Sequence, residues 1–294
     1  MTAAPPTVLP RRAVLSLGSA LAASALGLTG CDDSVKKAEG YAVEVVNALA
    51  PAVPKDFANV RSGLADGAKL LTTLLPTDAA SELKQTRDAI GNAREHTDAI
   101  RGVPATFFVF TNTSGIAVRS EHDPDELAEK DLFAAFPALK KSVEGAGAYA
   151  ETFGEMAEMR RVKQGAELEW AAAVPVLDKE GKPRGAFVAG WSFRFYATYL
   201  QNQGNRVVQD RVGKTKEKAP VMYTYIIKGS TAYGAQETPE ANAEAVAKLD
   251  LAPKAKSGLY KSRVEIGTVT FAVAALPAPD FGDDAAIAVV AAVF

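Results

Sequence analysis

The apolar residues of this chain change their period near Gly102. Before it they recur every three or four positions: Tyr41, Val45, Val46 and Leu49; then Val60, Leu64, Ala68, Leu71 and Leu75; then Leu83, Ile90, Ala93, Thr97 and Ile100. That spacing puts each set on one side of a helix. Pro51 and Pro54 interrupt the first pattern and Pro76 closes the second, while Thr77-Asp78 has the form of an N-cap for the third. After Gly102 the apolar residues come in short aromatic and β-branched runs bounded by turn residues, which is strand chemistry. A helical region over 31–104 followed by an α+β region is therefore expected.

The strand region divides again. Thr106-Phe-Phe-Val-Phe-Thr111 is a strand, Asn112-Thr-Ser-Gly115 a turn, and Ile116–Arg119 a return strand. A charged loop, His122–Glu126, opens a helix that runs through Leu139 and Val143 to Gly145 and Gly147. Leu168–Leu177 and Ala186–Phe195 are strands joined by Asp178-Lys-Glu-Gly-Lys182, and a polar helix runs from about Phe195 to Val212. The order then recurs, with strands at Val221–Ile227 and Thr231–Gly234, a helix at Glu240–Leu249, and strands in Val264–Leu276 and Ala285–Phe294. Trp170-Ala-Ala-Ala-Val-Pro175 matches Phe271-Ala-Val-Ala-Ala-Leu-Pro277. Duplication of one α/β unit accounts for this, the alternative being that β-meanders resemble one another. The expected division is 105–195 for the first unit, 196–219 for a connecting helix and linker, and 220–294 for the second unit.

Residues 1–30 carry an address. Arg11 and Arg12 precede an uncharged stretch, Ala13–Leu28. It is shorter than the ~20 residues of a spanning helix and has the build of an export signal. Leu28-Thr29-Gly30-Cys31 resembles the bacterial lipobox, which implies cleavage before Cys31 and diacylation of its sulfur. Small residues admit the peptidase to the backbone, and a thiol is a good acceptor for a lipid. The alternative is a chance free cysteine after a plain signal peptide. Arg11-Arg12 followed by Ala13-Val14-Leu15 is similar to a twin-arginine signal, which implies folding before export. The expected location is the bacterial cell envelope, outside the cytoplasm, with the protein held to the membrane by lipid on Cys31; two or three acyl chains anchor stably where one does not.

Composition removes several functions. With 33 basic against 35 acidic side chains, the chain has no basic excess for nucleic acid. One cysteine excludes a disulfide framework and a Cys-rich metal site. No Gly-x-Ser-x-Gly, Walker, His-Glu-x-x-His or dinucleotide motif occurs. His96 sits among charges at Arg94-Glu95-His96, as a solvated histidine does. His122 with Asp123 and Asp125 has metal-ligand chemistry, but Pro124 between them also marks a helix entry. No enzyme activity, cofactor or metal is expected.

Phe107–Phe195 resembles the extracellular Cache sensor domain, a PAS-like fold. The resemblance lies in Val109-Phe-Thr-Asn-Thr-Ser-Gly115, in the helix around Leu132–Val143, and in Ala173-Val-Pro-Val-Leu-Asp-Lys-Glu-Gly-Lys182 with Gly185-Ala-Phe-Val-Ala-Gly190. The second unit departs from it, because Ala-Pro-Asp-Phe-Gly-Asp-Asp follows Pro277. The resemblance implies tandem PAS-like Cache units with antiparallel sheets, a small-molecule ligand, and relay of binding to a kinase or chemoreceptor domain. No second membrane helix or output domain follows before Phe294, so relay to a separate envelope protein is expected. The family's amino-acid-binding motif is not recognisable, and no residue role is carried over from it.

In a PAS-like fold the ligand lies between the sheet and its covering helix and loops, within aromatic walls and a few polar groups. Trp170 and Trp191 fall on paired strands, and Tyr149, Arg160, Arg161 and Glu169 come from segments expected to border that face. An Arg fork suits an anionic ligand. Tryptophans on strands also serve as core, and an Arg-Arg pair also serves as surface. Along Ala186–Phe195, the bulky set Phe187, Ala189, Trp191 and Phe193 is expected beneath the unit's own helix, with Trp191 beside the cavity. The expected function is an exported, membrane-anchored lipoprotein that binds a small molecule and relays to a partner. The alternative is a structural or assembly lipoprotein that binds only proteins.

Overall fold

Pro51 caps one helix where another has just ended. Helices α1 (Thr29–Leu49) and α2 (Ala52–Leu74) meet there. Pro54 lies within the first turn of α2, where a missing N–H leaves no bond unmade. The structure, a computed structural model, describes residues 29–144, 148–156 and 167–294, with the backbone alone at 29–32. Arg11, Arg12, Leu28, Gly145, Gly147, Arg160 and Arg161 lie outside the described residues, and Gly30 and Cys31 are placed only by the α1 backbone.

Helices α3 (Leu83–Glu95) and α4 (Asp98–Arg101) follow. The third helix starts later than Thr77-Asp78 suggests. The Asp78 carboxylate accepts from the Ser81 amide and hydroxyl, so it closes a separate turn before the helix begins.

Among the described residues, ten strands form two five-stranded antiparallel sheets. The first holds β1 (Phe107–Asn112), β2 (Ala117–Ser120), β3 (Ala150–Met156), β4 (Glu167–Leu177) and β5 (Pro183–Ser192), in the order β2-β1-β5-β4-β3. The second holds β6 (Val221–Lys228), β7 (Thr231–Gly234), β8 (Tyr260–Ile266), β9 (Val269–Pro277) and β10 (Ala285–Ala292), in the order β7-β6-β10-β9-β8. Strand for strand the two orders are the same, and all pairings are antiparallel. Helix α6 (Phe193–Thr215) runs from the end of β5 towards β6. The architecture is α+β, with N-terminal helices and two PAS-like sheets.

The turns are built as their residues dictate. Asn112 Oδ1 accepts from the amides of Ser114 and Ile116, and Asp178 Oδ1 from those of Glu180 and Lys182. Gly115 and Gly181 supply the positive φ, 89° and 78°, that these turns need.

Three expectations are corrected. Pro137 prevents a continuous helix, so α5 (Leu132–Ala135) gives way to a 3₁₀ segment at Pro137–Ser142. The segment after Tyr149 is strand β3, added to the edge of the sheet beside β4. The third concerns the faces of sheet one. Its bulky face, carrying Phe108, Phe110, Trp170, Val174, Phe187 and Trp191, packs against α2, α3 and α6 instead of under the unit's own helix. The smaller face, with Val109, Ala171, Ala173, Ala186 and Val188, lies under Leu132, Phe133, Phe136 and Leu139.

Sheet two repeats this division. Ile226, Ala272, Ala274, Ile287 and Val289 share the core of α1, α2 and sheet one, while Tyr225, Val273, Ala288 and Val290 lie under α7 (Glu240–Ala247) and α8 (Leu251–Ala255). One apolar core therefore joins both sheets to the N-terminal helices.

Candidate ligand-binding groove

Trp170 and Trp191 are registered partners on β4 and β5, and both are fully buried. Phe57 of α2 closes on them, with ring centroids 4.7 Å from Trp170 and 5.0 Å from Trp191. Phe281, from the 3₁₀ turn Pro279–Phe281 beside sheet two, enters the same cluster 5.1 Å from Phe57, 5.0 Å from Phe193 and 5.5 Å from Tyr196. These rings stabilise the joint between the two sheets and the helices; the pair of tryptophans stands in that packing.

Glu169 faces the other way. It lies opposite Ser192 on β5 and Gly154 on β3, on the face that carries Ala171 and Ala173. It is fully buried, and neither carboxylate oxygen has a hydrogen-bond partner among the described residues. Burial, and then the neighbouring charge of Glu167, push its pKa well above the usual carboxylate range. Glu167 is better provided for: its Oε1 accepts from the Arg194 amide at 2.6 Å, in the first turn of α6. On this same face a recess of about 10 Å³ lies among Thr106, Phe107, Ser120, His122 and Leu127, room for about one water.

Tyr149 leads to a much larger space. A groove of about 460 Å³ lies between α2 and β4, lined by Ala65, Lys69 and Thr72 on the helix, by Val174, Pro175 and Leu177 on the strand, and by Ala148 and Tyr149. Among the described residues that line it, Lys69 alone is charged, and it pairs with Asp66 at 2.9 Å on the exposed side of α2. The residues Ala65, Lys69 and Thr72 recur at helix spacing, so one stripe of α2 forms the wall. That stripe continues one turn back to Arg61.

Arg61 holds Glu151 with two bonds, Nε to Oε2 at 3.0 Å and Nη2 to Oε1 at 2.8 Å, and gives Nη1 to Asp280 at 2.8 Å. The Tyr149 hydroxyl donates to Glu151 Oε2. Burial raises the Glu151 carboxyl, but the hydrogen bonds from Arg61 and Tyr149 outweigh it and the net shift is downward. Burial, followed by the hydrogen bond to Glu151 and then by its charge, raises the Tyr149 phenol. Tyr149 therefore stays neutral and Glu151 ionised at neutral pH.

The structure thus separates the proposed site residues. Tyr149 lines the groove, Trp170 and Trp191 lie in the core beyond it, and Glu169 sits on the opposite face of the sheet. The groove residues on α2, with Val174, Pro175 and Leu177, carry no local sequence signal, because α2 and β4 are about a hundred residues apart and only packing brings them together. His122 Nε2 lies 2.9 Å from the Thr106 carbonyl oxygen, and Asp125 accepts from Ser120, while Asp123 pairs with Arg87. No cluster of three metal-ligating side chains occurs among the described residues, and none of their helices is long and apolar enough to cross a membrane.

No family model and no curated protein matches this chain. Solved structures do. The extracellular domain of the putative histidine kinase vpHK1S-Z8 superposes with a TM-score of 0.52 at 11% identity, over 89% of this chain and 93% of that one. The domain of a putative sensory box/GGDEF family protein from Vibrio parahaemolyticus gives 0.50 at 11% identity, over 89% and 97%. An extracellular ligand binding receptor from Desulfohalobium retbaense gives 0.45 at 11% identity, over 85% of this chain, which spans only 39% of that receptor. The first two share the fold along nearly their whole length.

Proposed function

We propose that this chain is an extracytoplasmic sensor of the bacterial envelope, anchored by lipid on Cys31 and divided as 105–195 and 220–294 about the α6 connection. It binds a small molecule and relays the event to a separate envelope protein. The observation that carries the reading is the groove between α2 and β4, about 460 Å³ in volume and bordered by Tyr149. That volume suits a small metabolite. The fold shared with the extracellular domain of a putative histidine kinase supports a sensory role. The lining is mainly apolar with one cation at its rim, which fits an apolar molecule bearing one acidic group, held at Lys69.

Thermal unfolding of the full chain carrying Cys31→Ser, screened against aliphatic and aromatic monocarboxylates, tests this. A ligand present at 100 times its Kd stabilises the folded state by about 2.7 kcal/mol. Selective upward shifts that disappear in Ala65→Trp, which fills the groove from the exposed side of α2, support the reading. If no monocarboxylate shifts the transition, or if the shift survives Ala65→Trp, the groove is not the binding site.

A further inference from the structure

The groove ends on a side chain that bridges the two sheets through polar bonds. Arg61 sits on α2, one turn before the groove residue Ala65, and its guanidinium is divided between Glu151 of β3 and Asp280 of the 3₁₀ turn beside β10. Glu151 is in turn bonded by the Tyr149 hydroxyl, and Tyr149 borders the groove. Phe281, the residue after Asp280, is wedged among Phe57, Phe193 and Tyr196. The sequence Tyr149, Glu151, Arg61, Asp280 and Phe281 thus runs unbroken from the groove wall to the seat of the second sheet.

We infer that Arg61 is a positioning residue that couples the groove to the second sheet, so that a change in Tyr149 is felt at the Asp280 turn. The inference rests on reading the groove as the binding site for its biological use, but the coupling itself requires no ligand. The guanidinium is suited to this role for three reasons. Its planar fork fixes the angle between the two carboxylates it holds. The Arg61 guanidinium carbon also lies 5.2 Å from the centre of the Phe57 ring, which touches Phe281, so a polar and an aromatic path meet at one helix. Finally, Glu151 receives both Arg61 and Tyr149 on Oε2, so that loss of the phenol bond frees an acceptor that Arg61 shares. Rearrangement of Glu151 then alters what the guanidinium offers Asp280.

A cycle of variants in the full chain carrying Cys31→Ser tests the coupling by denaturant unfolding. Tyr149→Phe and Asp280→Asn remove the two ends without removing Arg61. Independent sites combine additively, to within about twofold in the folding constant. The double variant is expected to depart from the product of the single effects by about threefold or more, and the departure is expected to vanish when Arg61→Lys is added, because one ammonium cannot hold both carboxylates in a fixed fork. Amide exchange gives a second readout: Tyr149→Phe should speed exchange at Phe281 and Gly282, whose amides bond to Ala278 and Pro279, and leave the β7 amides unchanged. Additive effects overturn the inference, and so does unchanged exchange at Phe281. Coupling that persists with Arg61→Lys runs through the aromatic rings and also overturns the role given to Arg61. None of these outcomes depends on a ligand, so they are distinct from failure of the binding reading.

Discussion

Trp170 and Trp191 stand directly opposite each other on neighbouring strands, their ring centroids 4.3 Å apart and their planes inclined by 32°. Neither is exposed, and Phe57 covers both from α2. A wall for a ligand and a keystone for packing call for the same residue type, but they differ in what a truncation does.

Trp191→Ala should destabilise the fold by about 3–5 kcal/mol, the usual cost of emptying a buried aromatic site. Denaturant unfolding checks the loss. Because Trp191 lies behind Trp170 and does not line the groove, the affinity of any groove ligand should be unchanged where the variant remains folded. A large loss of affinity with little loss of stability would return Trp191 to the binding site.

Glu169→Gln should stabilise the protein at neutral pH. The folded-state pKa of Glu169 is raised, so its protonated form is favoured on folding. That contribution is fully present below the unfolded value and is lost as pH rises through the folded value. The amide cannot ionise. The variant's melting temperature should exceed that of the parent at pH 7, and the gap should close towards pH 4. A variant that melts lower at pH 7 would mean that Glu169 holds a charged partner.

Glu151→Gln should behave in the opposite sense. The Glu151 carboxyl is lowered on folding, so its contribution is present above the unfolded value and is lost as pH falls through the folded one. The variant should melt lower than the parent at pH 7 and converge with it in acid. The group is about one-third exposed, so the effect should shrink in high salt. A pH-independent difference would show that the ion pair with Arg61 contributes nothing.

Cys31→Ser should release the protein from the membrane. Detergent phase separation of cells expressing either form reports this directly: the parent should enter the detergent phase and the variant the aqueous phase. A variant that is still processed and still partitions with detergent would refute acylation at this cysteine.

Much of the architecture was legible in local pattern. The period change near Gly102 separates the helices from the sheets because helices and strands repeat their buried face at different spacings. Asn112 with Gly115, and Asp178 with Gly181, determine their turns through local hydrogen bonds and positive φ. The recurrence after Val221 announced a second sheet, and both sheets have the same strand order. Strand β3 carries little local signal because Ala150-Glu-Thr-Phe-Gly-Glu-Met156 is only partly apolar, and an edge strand is held in place by its neighbour β4 more than by its own residues. Alternation along β5 correctly sorted Phe187, Ala189 and Trp191 from Val188 and Gly190. It could not say which layer would cover which set, because period two defines two faces and names no partner for either. That choice, the groove between Lys69 and Val174, and the bridge from Glu151 through Arg61 to Asp280 were decided only in three dimensions. Local sequence sets torsions and periodicity, whereas contacts between segments a hundred or more residues apart depend on how the large and small side chains of every layer fill space together.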